Sequence, residues 1–193
     1  DGRLDQALRL IDVAATAGAD AVKFQVFRAR RLYARGAGAS DYLGDERSIY
    51  DIIAELEMPP EWLPVLAGHA GERGIDFLAS AFDEESVDLV DRWVAAHKCA
   101  SYEMTHHPLL AHMAGKGKPL IVSTGAARLD EVAEAVEVVR AVAATDLVLL
   151  QCTASYPTPL DELNLRAMRA MGDSFGVVTV RRRPIRCRTR RRG

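Results

Sequence analysis

The sequence predicts an α/β fold, a (β/α)8 TIM barrel that is incomplete, with about six strands present. Three observations carry that expectation. Short apolar runs of strand length alternate with amphipathic helical stretches, which implies a parallel sheet covered by helices. Several of the runs end in lysine or hydroxyl side chains, and strand C-termini are where a barrel places its chemistry. No G-x-G-x-x-G turn follows the first strand, which weakens the rival architecture, a doubly wound open sheet.

The elements follow in order. Leu4, Leu8, Ile11, Ala14 and Ala15 keep helical spacing, and Gly18 closes that helix as a C-cap. Residues 19–25 read as a buried strand, and a loop rich in Arg, Gly and Ala runs on to about Asp45. Helical segments are expected at 49–56 and 61–73, the second opened by Pro59 and Pro60. Strand 75–80 then leads to helix 84–96, and strand 97–102 to a short helix at 109–114. Strand 119–123 precedes helix 129–143, strand 146–153 precedes helix 163–171, and a last apolar run covers 175–180. A complete barrel has eight strands and typically about 250 residues. The expectation is therefore a barrel short by roughly one strand at the front and one at the back, with an N-terminus that looks cut at Asp1.

Composition sets the outer bounds. The 193 residues are 49% hydrophobic and 27% charged, ample for one globular domain with a core. No apolar run approaches the roughly 18–20 residues that span a bilayer, and no signal-peptide pattern opens the chain. The three cysteines stand at unrelated spacings. Cys99 and Cys152 fall in expected strands outside any CxxC pair, which argues for small buried thiols in a cytoplasmic protein over a disulfide framework or zinc site.

Charge divides the chain in two. Eight arginines lie from Arg181 to Arg192, so a net charge of −2 for the whole means −10 for what precedes them. An acidic body argues against nucleic acid as the main partner. Residues 1–176 are read as a partial barrel domain and residues 177–193 as an Arg-rich tail of foreign composition. The tail is either a basic arm for nucleic acid or anionic membrane, or a non-native or misread terminus.

Lys23 and Lys98 each end a strand. Such a lysine is a ligand for phosphate or carboxylate, a Schiff-base nucleophile, or a charge reaching to solvent. The hydroxyls of Ser101 and Ser123 at the same rim favour an anion site. Glu103, just past its strand, is an acid/base group, a partner for a sugar hydroxyl, or a solvated carboxylate. The segment Tyr156-Pro157-Thr158-Pro159 is stiffened by two prolines, either to aim a tyrosine at the barrel mouth or simply to turn. His106, His107 and His112 complete no known metal-ligand spacing, and His69 falls on a helix.

Four runs together resemble the sialic acid synthase family: GADAVKFQ from Gly18, HKCASYE from His97, GKPLIVSTG from Gly117 and LLQCTASYPTP from Leu149. Asp161-Glu162-Leu163-Asn164-Leu165 is similar to its D-x-x-N-L continuation, and Asp1-Gly2 to the end of its N-H-(N/D/E)-G turn. The resemblance implies that phosphoenolpyruvate condenses with the open-chain aldehyde of N-acetylmannosamine or a related sugar. The products are a nine-carbon 2-keto acid and phosphate, in carbohydrate biosynthesis. It implies phosphoenolpyruvate binding by Lys23, Lys98, Ser101 and Ser123, substrate binding by Ser80, sugar contacts from Gln25, Glu103 and Tyr156, and catalytic roles for Lys98 and Glu103. It also implies a Mn2+ or Mg2+ ion that polarises the aldehyde, and a domain-swapped homodimer closed by an antifreeze-like domain.

This sequence departs from the family pattern at several places. Ser80 stands for a threonine of S-T-P-F-D, His106 for a common asparagine, Gln151 for the histidine of L-L-H-C, and Ala154 for a serine or asparagine. The G-x-S-D-H segment with a metal-binding histidine does not follow Gly176. On these grounds the chain is expected to lack its metal ligands, to make no keto acid by itself and not to dimerise as the family does.

Overall fold

A computed structural model describes residues 2–40, 45–155 and 157–181. Helix α1 (Leu4–Thr16) leads to strand β1 (Ala21–Val26), helix α2 (Ala29–Leu32), the strand pair β2 (Ala39–Ser40) and β3 (Asp45–Ser48), and helices α3 (Ile49–Glu55) and α4 (Trp62–Glu72). The alternation continues with β4 (Asp76–Ala81), α5 (Glu84–Asp91), β5 (His97–Cys99), α6 (His107–Ala114), β6 (Leu120–Ser123) and α7 (Leu129–Val142). It ends with β7 (Leu147–Gln151), a 3-10 turn (Leu160–Glu162), α8 (Arg166–Phe175) and β8 (Val178–Arg181).

The main sheet has six parallel strands in the order β1-β4-β5-β6-β7-β8. Every strand is laid beside the one before it, always on the same side. A doubly wound sheet reverses direction at a switch point, so this order selects the barrel winding. Among the described residues β1 and β8 are not paired with each other, and the barrel is incomplete.

Alternation across the pleat gives the sheet two unlike faces. Phe77, Ala79, Ala81, Cys99, Leu120, Val122, Leu147 and Leu149 point outward into the core. They pack beneath Ile11 of α1, Leu63 and Leu66 of α4, Val87 and Val90 of α5, Leu109 and Met113 of α6, and Val132, Val136 and Val139 of α7. The concave inner face is more open: Val178 and Val180 are 63% and 45% exposed. Positive φ at Gly18 (+76°) and Gly74 (+71°) marks the two helix-to-strand turns that enter β1 and β4, a conformation that costs glycine little.

Several boundaries differ from the sequence expectation. The stretch expected as a plain loop running to about Asp45 contains α2 and β2, and β3 begins where it ends. Its composition shows no periodicity, and long-range bonds hold it: Glu57 accepts from the Ala29 N–H at 2.7 Å and lies 3.5 Å from the Arg28 guanidinium. Strand β5 stops at Cys99, and residues 101–105 turn instead of extending. Helix α5 stops at Asp91, where Lys118 Nζ donates to the carbonyls of Asp91 and Val94 and satisfies the helix end. Composition set the tail at 177, yet Val178–Arg181 form β8, with Val148 opposite Val178 and Gln151 opposite Arg181. The arginine-rich composition thus begins inside the sheet. The rest of that tail, residues 182–193, lies outside the described residues. Among the described residues no helix is long and apolar enough to cross a membrane.

Candidate functional site

Parallel strands bring their C-terminal ends to one rim, so the side chains that end them converge. In the sheet register Gln25 of β1 stands beside Ser80 of β4, and Ser80 beside Lys98 of β5. These three polar side chains make one row across the concave face. With Lys23, Ser101 and Ser123 they line a cavity of about 370 Å3, whose remaining wall is apolar and includes Leu78, Ile121 and Leu150. Six of the eight residues expected at the site therefore meet in one place.

Lys98 is the best-defined member. It is only 6% exposed, and its ammonium donates to Ser123 Oγ at 2.7 Å and to the Cys99 carbonyl. A buried ammonium is costly unless hydrogen-bonded, and these acceptors hold the Lys98 ammonium in place at the cavity.

Ser101 lies in the turn after β5, where its Oγ accepts from the Gly125 N–H at 3.1 Å. Ser80, at the position of the family's threonine, is buried in the cavity wall.

The two other expected residues fare differently. Glu103 sits in the 101–105 turn and does not line the cavity. Burial pushes its carboxyl above the usual carboxylate range, while its own backbone N–H and the charges of Lys98 and His106 pull it down. Its Oε2 is buried with no hydrogen-bond partner among the described residues. Tyr156 lies outside the described residues.

The histidines serve other side chains and helix ends. His69 Nε2 lies 2.9 Å from Asp12, His97 Nε2 2.9 Å from Asp91, and His112 Nε2 2.7 Å from Asp88. His106 Nδ1 accepts from the Leu109 N–H at 3.2 Å and caps α6. Among the described residues no three His, Cys, Asp or Glu side chains are grouped to hold a metal ion. Cys99 is fully buried and its thiol is pushed up to about 12 by that burial; Cys152 is half-buried.

Sequence reasoning missed Gly125 and the Cys99 carbonyl. Both act through the backbone: the Gly125 N–H reaches Ser101 from the neighbouring turn, and the Cys99 carbonyl accepts from the adjacent Lys98. The glycine directly after Ser123-Thr124 was the one available signal. A second cleft, of about 440 Å3, lies between the ends of β6 and β7 and the helices α7 and α8. It is lined by Gly125, which touches the site only through Ser101, and among its described residues Arg128 and Glu162 are the charged ones.

Residues 10–180 match the profile of the NeuB family. The chain is 40% identical over 177 residues to the spore coat polysaccharide biosynthesis protein SpsE of Bacillus subtilis (strain 168), covering 91% of this chain and 48% of that protein. It is 36% identical over 184 residues to the N,N'-diacetyllegionaminic acid synthase of Legionella pneumophila subsp. pneumophila (strain Philadelphia 1), covering 91% of this chain and 52% of that one. The crystal structure of the N-acetylneuraminic acid (sialic acid) synthetase of Leptospira borgpetersenii serovar Hardjo-bovis, in complex with citrate, superposes with a TM-score of 0.81. It is 26% identical, over 92% of this chain and 59% of that one. The chain spans about half the length of the curated relatives it matches.

Proposed function

The chain belongs to the NeuB family, and on that premise we propose that it is the barrel portion of a transferase for sialic-acid-type biosynthesis. The reaction condenses phosphoenolpyruvate with the aldehyde form of an N-acylated amino sugar, N-acetylmannosamine or a relative. The phosphoenolpyruvate methylene carbon bonds to the aldehyde carbon, water adds at the enol carbon, and phosphate leaves as the 2-keto group forms. The acceptors of sialic, legionaminic and pseudaminic acid synthesis all fit this scheme.

The observation that carries the reading is the Lys98–Ser123 hydrogen bond at 2.7 Å inside a cavity that also holds Lys23, Ser80 and Ser101. In our reading the two lysines neutralise the phosphate and carboxylate, and the hydroxyls orient them. Gln25 contacts the sugar from the rim of β1, and Tyr156 does so from the β7–α8 loop. Glu103, in the turn after β5 and outside the cavity wall, takes its acid/base role in this proposal from the family resemblance, and burial favours the neutral form of its carboxyl. Metal assistance, homodimeric closure and a cytoplasmic setting belong to the proposal only as the family resemblance implies them.

Titration calorimetry of phosphoenolpyruvate into the chain tests the reading. A charge-assisted contact is commonly worth about 1.5–3 kcal/mol, so Lys98→Met is expected to weaken binding roughly 10–150-fold. Equal affinity in parent and variant would remove Lys98 from the site.

A further inference from the structure

Gly125 has no side chain, yet it lies where two turns of the site meet. Its N–H donates to Ser101 Oγ at 3.1 Å, joining the turn after β6 to the turn after β5. A Cβ built on Gly125 would stand 2.8 Å from Cys152 Cβ and 3.1 Å from the Cys152 carbonyl carbon and oxygen. Gly125 is not among the glycines of positive φ, so the position demands space and not an unusual backbone. Making that space means displacing a tethered turn. Thr124, just before it, donates to the Leu150 carbonyl through both its N–H (3.0 Å) and its Oγ1 (3.1 Å).

We infer that Gly125 is a positioning residue for the anion end of the cavity, acting through Ser101. With its oxygen accepting from Gly125, Ser101 keeps its O–H as a donor, the polarity that a phosphate or carboxylate oxygen requires. Ser123 is set in the same sense, its Oγ accepting from the Lys98 ammonium. An alanine at 125 pushes the turn away from Cys152, breaks the bond to Ser101 and lets that hydroxyl rotate. The inference rests on the reading of the cavity as a phosphoenolpyruvate site.

Two measurements on the 193-residue chain separate that reading from the inference. Amide hydrogen exchange at Gly125 reports the bond without any ligand. It is expected to be slow in the parent and several-fold to about tenfold faster in Ser101→Ala, in line with loss of one hydrogen bond. An unchanged Gly125 rate overturns the inference. Phosphoenolpyruvate titration then gives a double-mutant cycle, with melting midpoints followed in parallel. Ser101→Ala and Gly125→Ala are each expected to weaken binding about tenfold or more. The double variant should bind no more weakly than the worse single one, because both act on one hydroxyl. Losses that multiply show that Gly125 acts by another route and overturn the inference. Adding Cys152→Gly to Gly125→Ala removes the closest contact and is expected to restore part of the affinity. If the parent binds no phosphoenolpyruvate while Gly125 is protected and responds to Ser101→Ala, the ligand reading falls and the bond itself stands.

Discussion

Glu103 shows how burial alone can set a residue's chemistry. Its carboxyl is favoured in the neutral form chiefly because water is excluded from it. Between the ordinary carboxylate value and its raised folded value, the folded chain binds the extra proton and the unfolded chain does not. This contribution to stability is thus complete below the ordinary value and is lost as pH rises through the folded one. Glu103→Gln removes the titration. The variant should gain melting temperature relative to the parent near neutral pH, and the two should converge below about pH 4. A difference that stays constant across pH would show that Glu103 does not titrate abnormally. The sequence set Glu103 directly after a strand ending at residue 102, and the structure sets it in the turn that follows Cys99. That it is withdrawn from the cavity wall could not be read, since β5 was expected to run on to residue 102 and stops at Cys99.

At the scale of the element, short local bonds decide where helices begin. Asp83 follows β4 and caps α5: its Oδ1 accepts from the Ser86 N–H at 2.8 Å and its Oδ2 from the Ser86 hydroxyl at 2.7 Å. Both residues are buried, so these bonds have no water to replace them. Asp83→Ala should cost about 1–2 kcal/mol, lowering the melting midpoint by roughly 2–8 °C, with Asp83→Asn retaining part of the loss. A variant melting with the parent would mean that α5 is held by packing alone. The start of α5 was legible because the Asp cap and the Glu84-Glu85 first turn stand together in the chain. Its end was not, because the group that stops it, Lys118, comes from the far side of β5 and α6.

The whole molecule is shaped by a sheet that curves without closing. The concave face carries apolar residues suited to a barrel interior, and on β8 they are open to solvent: Val178 is 63% exposed and Val180 45%. Contiguous exposed apolar surface attracts hydrophobic partners. The chain should enhance the fluorescence of an anilinonaphthalene sulfonate dye, and Val178→Thr with Val180→Thr should reduce that enhancement. Threonine keeps the strand preference, and at exposed positions the exchange should cost no more than about 0.5 kcal/mol each. Dye fluorescence untouched by the pair would place the binding surface elsewhere.

Chain order of helices and strands, the barrel class and the side chains at the strand ends were determined by the sequence itself. Periodicity, caps and turn glycines act over a few residues, and a lysine that ends an apolar run marks the rim wherever the run lies in the sheet. The tertiary structure decided what those side chains touch. Lys98 meets Ser123 and Ser101 meets Gly125 only because β5 and β6 are neighbours in a particular register. The start of α2 is likewise fixed by Glu57 reaching back to Ala29. Such contacts join residues 24 to 28 positions apart in the chain. No local preference encodes them; strand register and side-chain reach do.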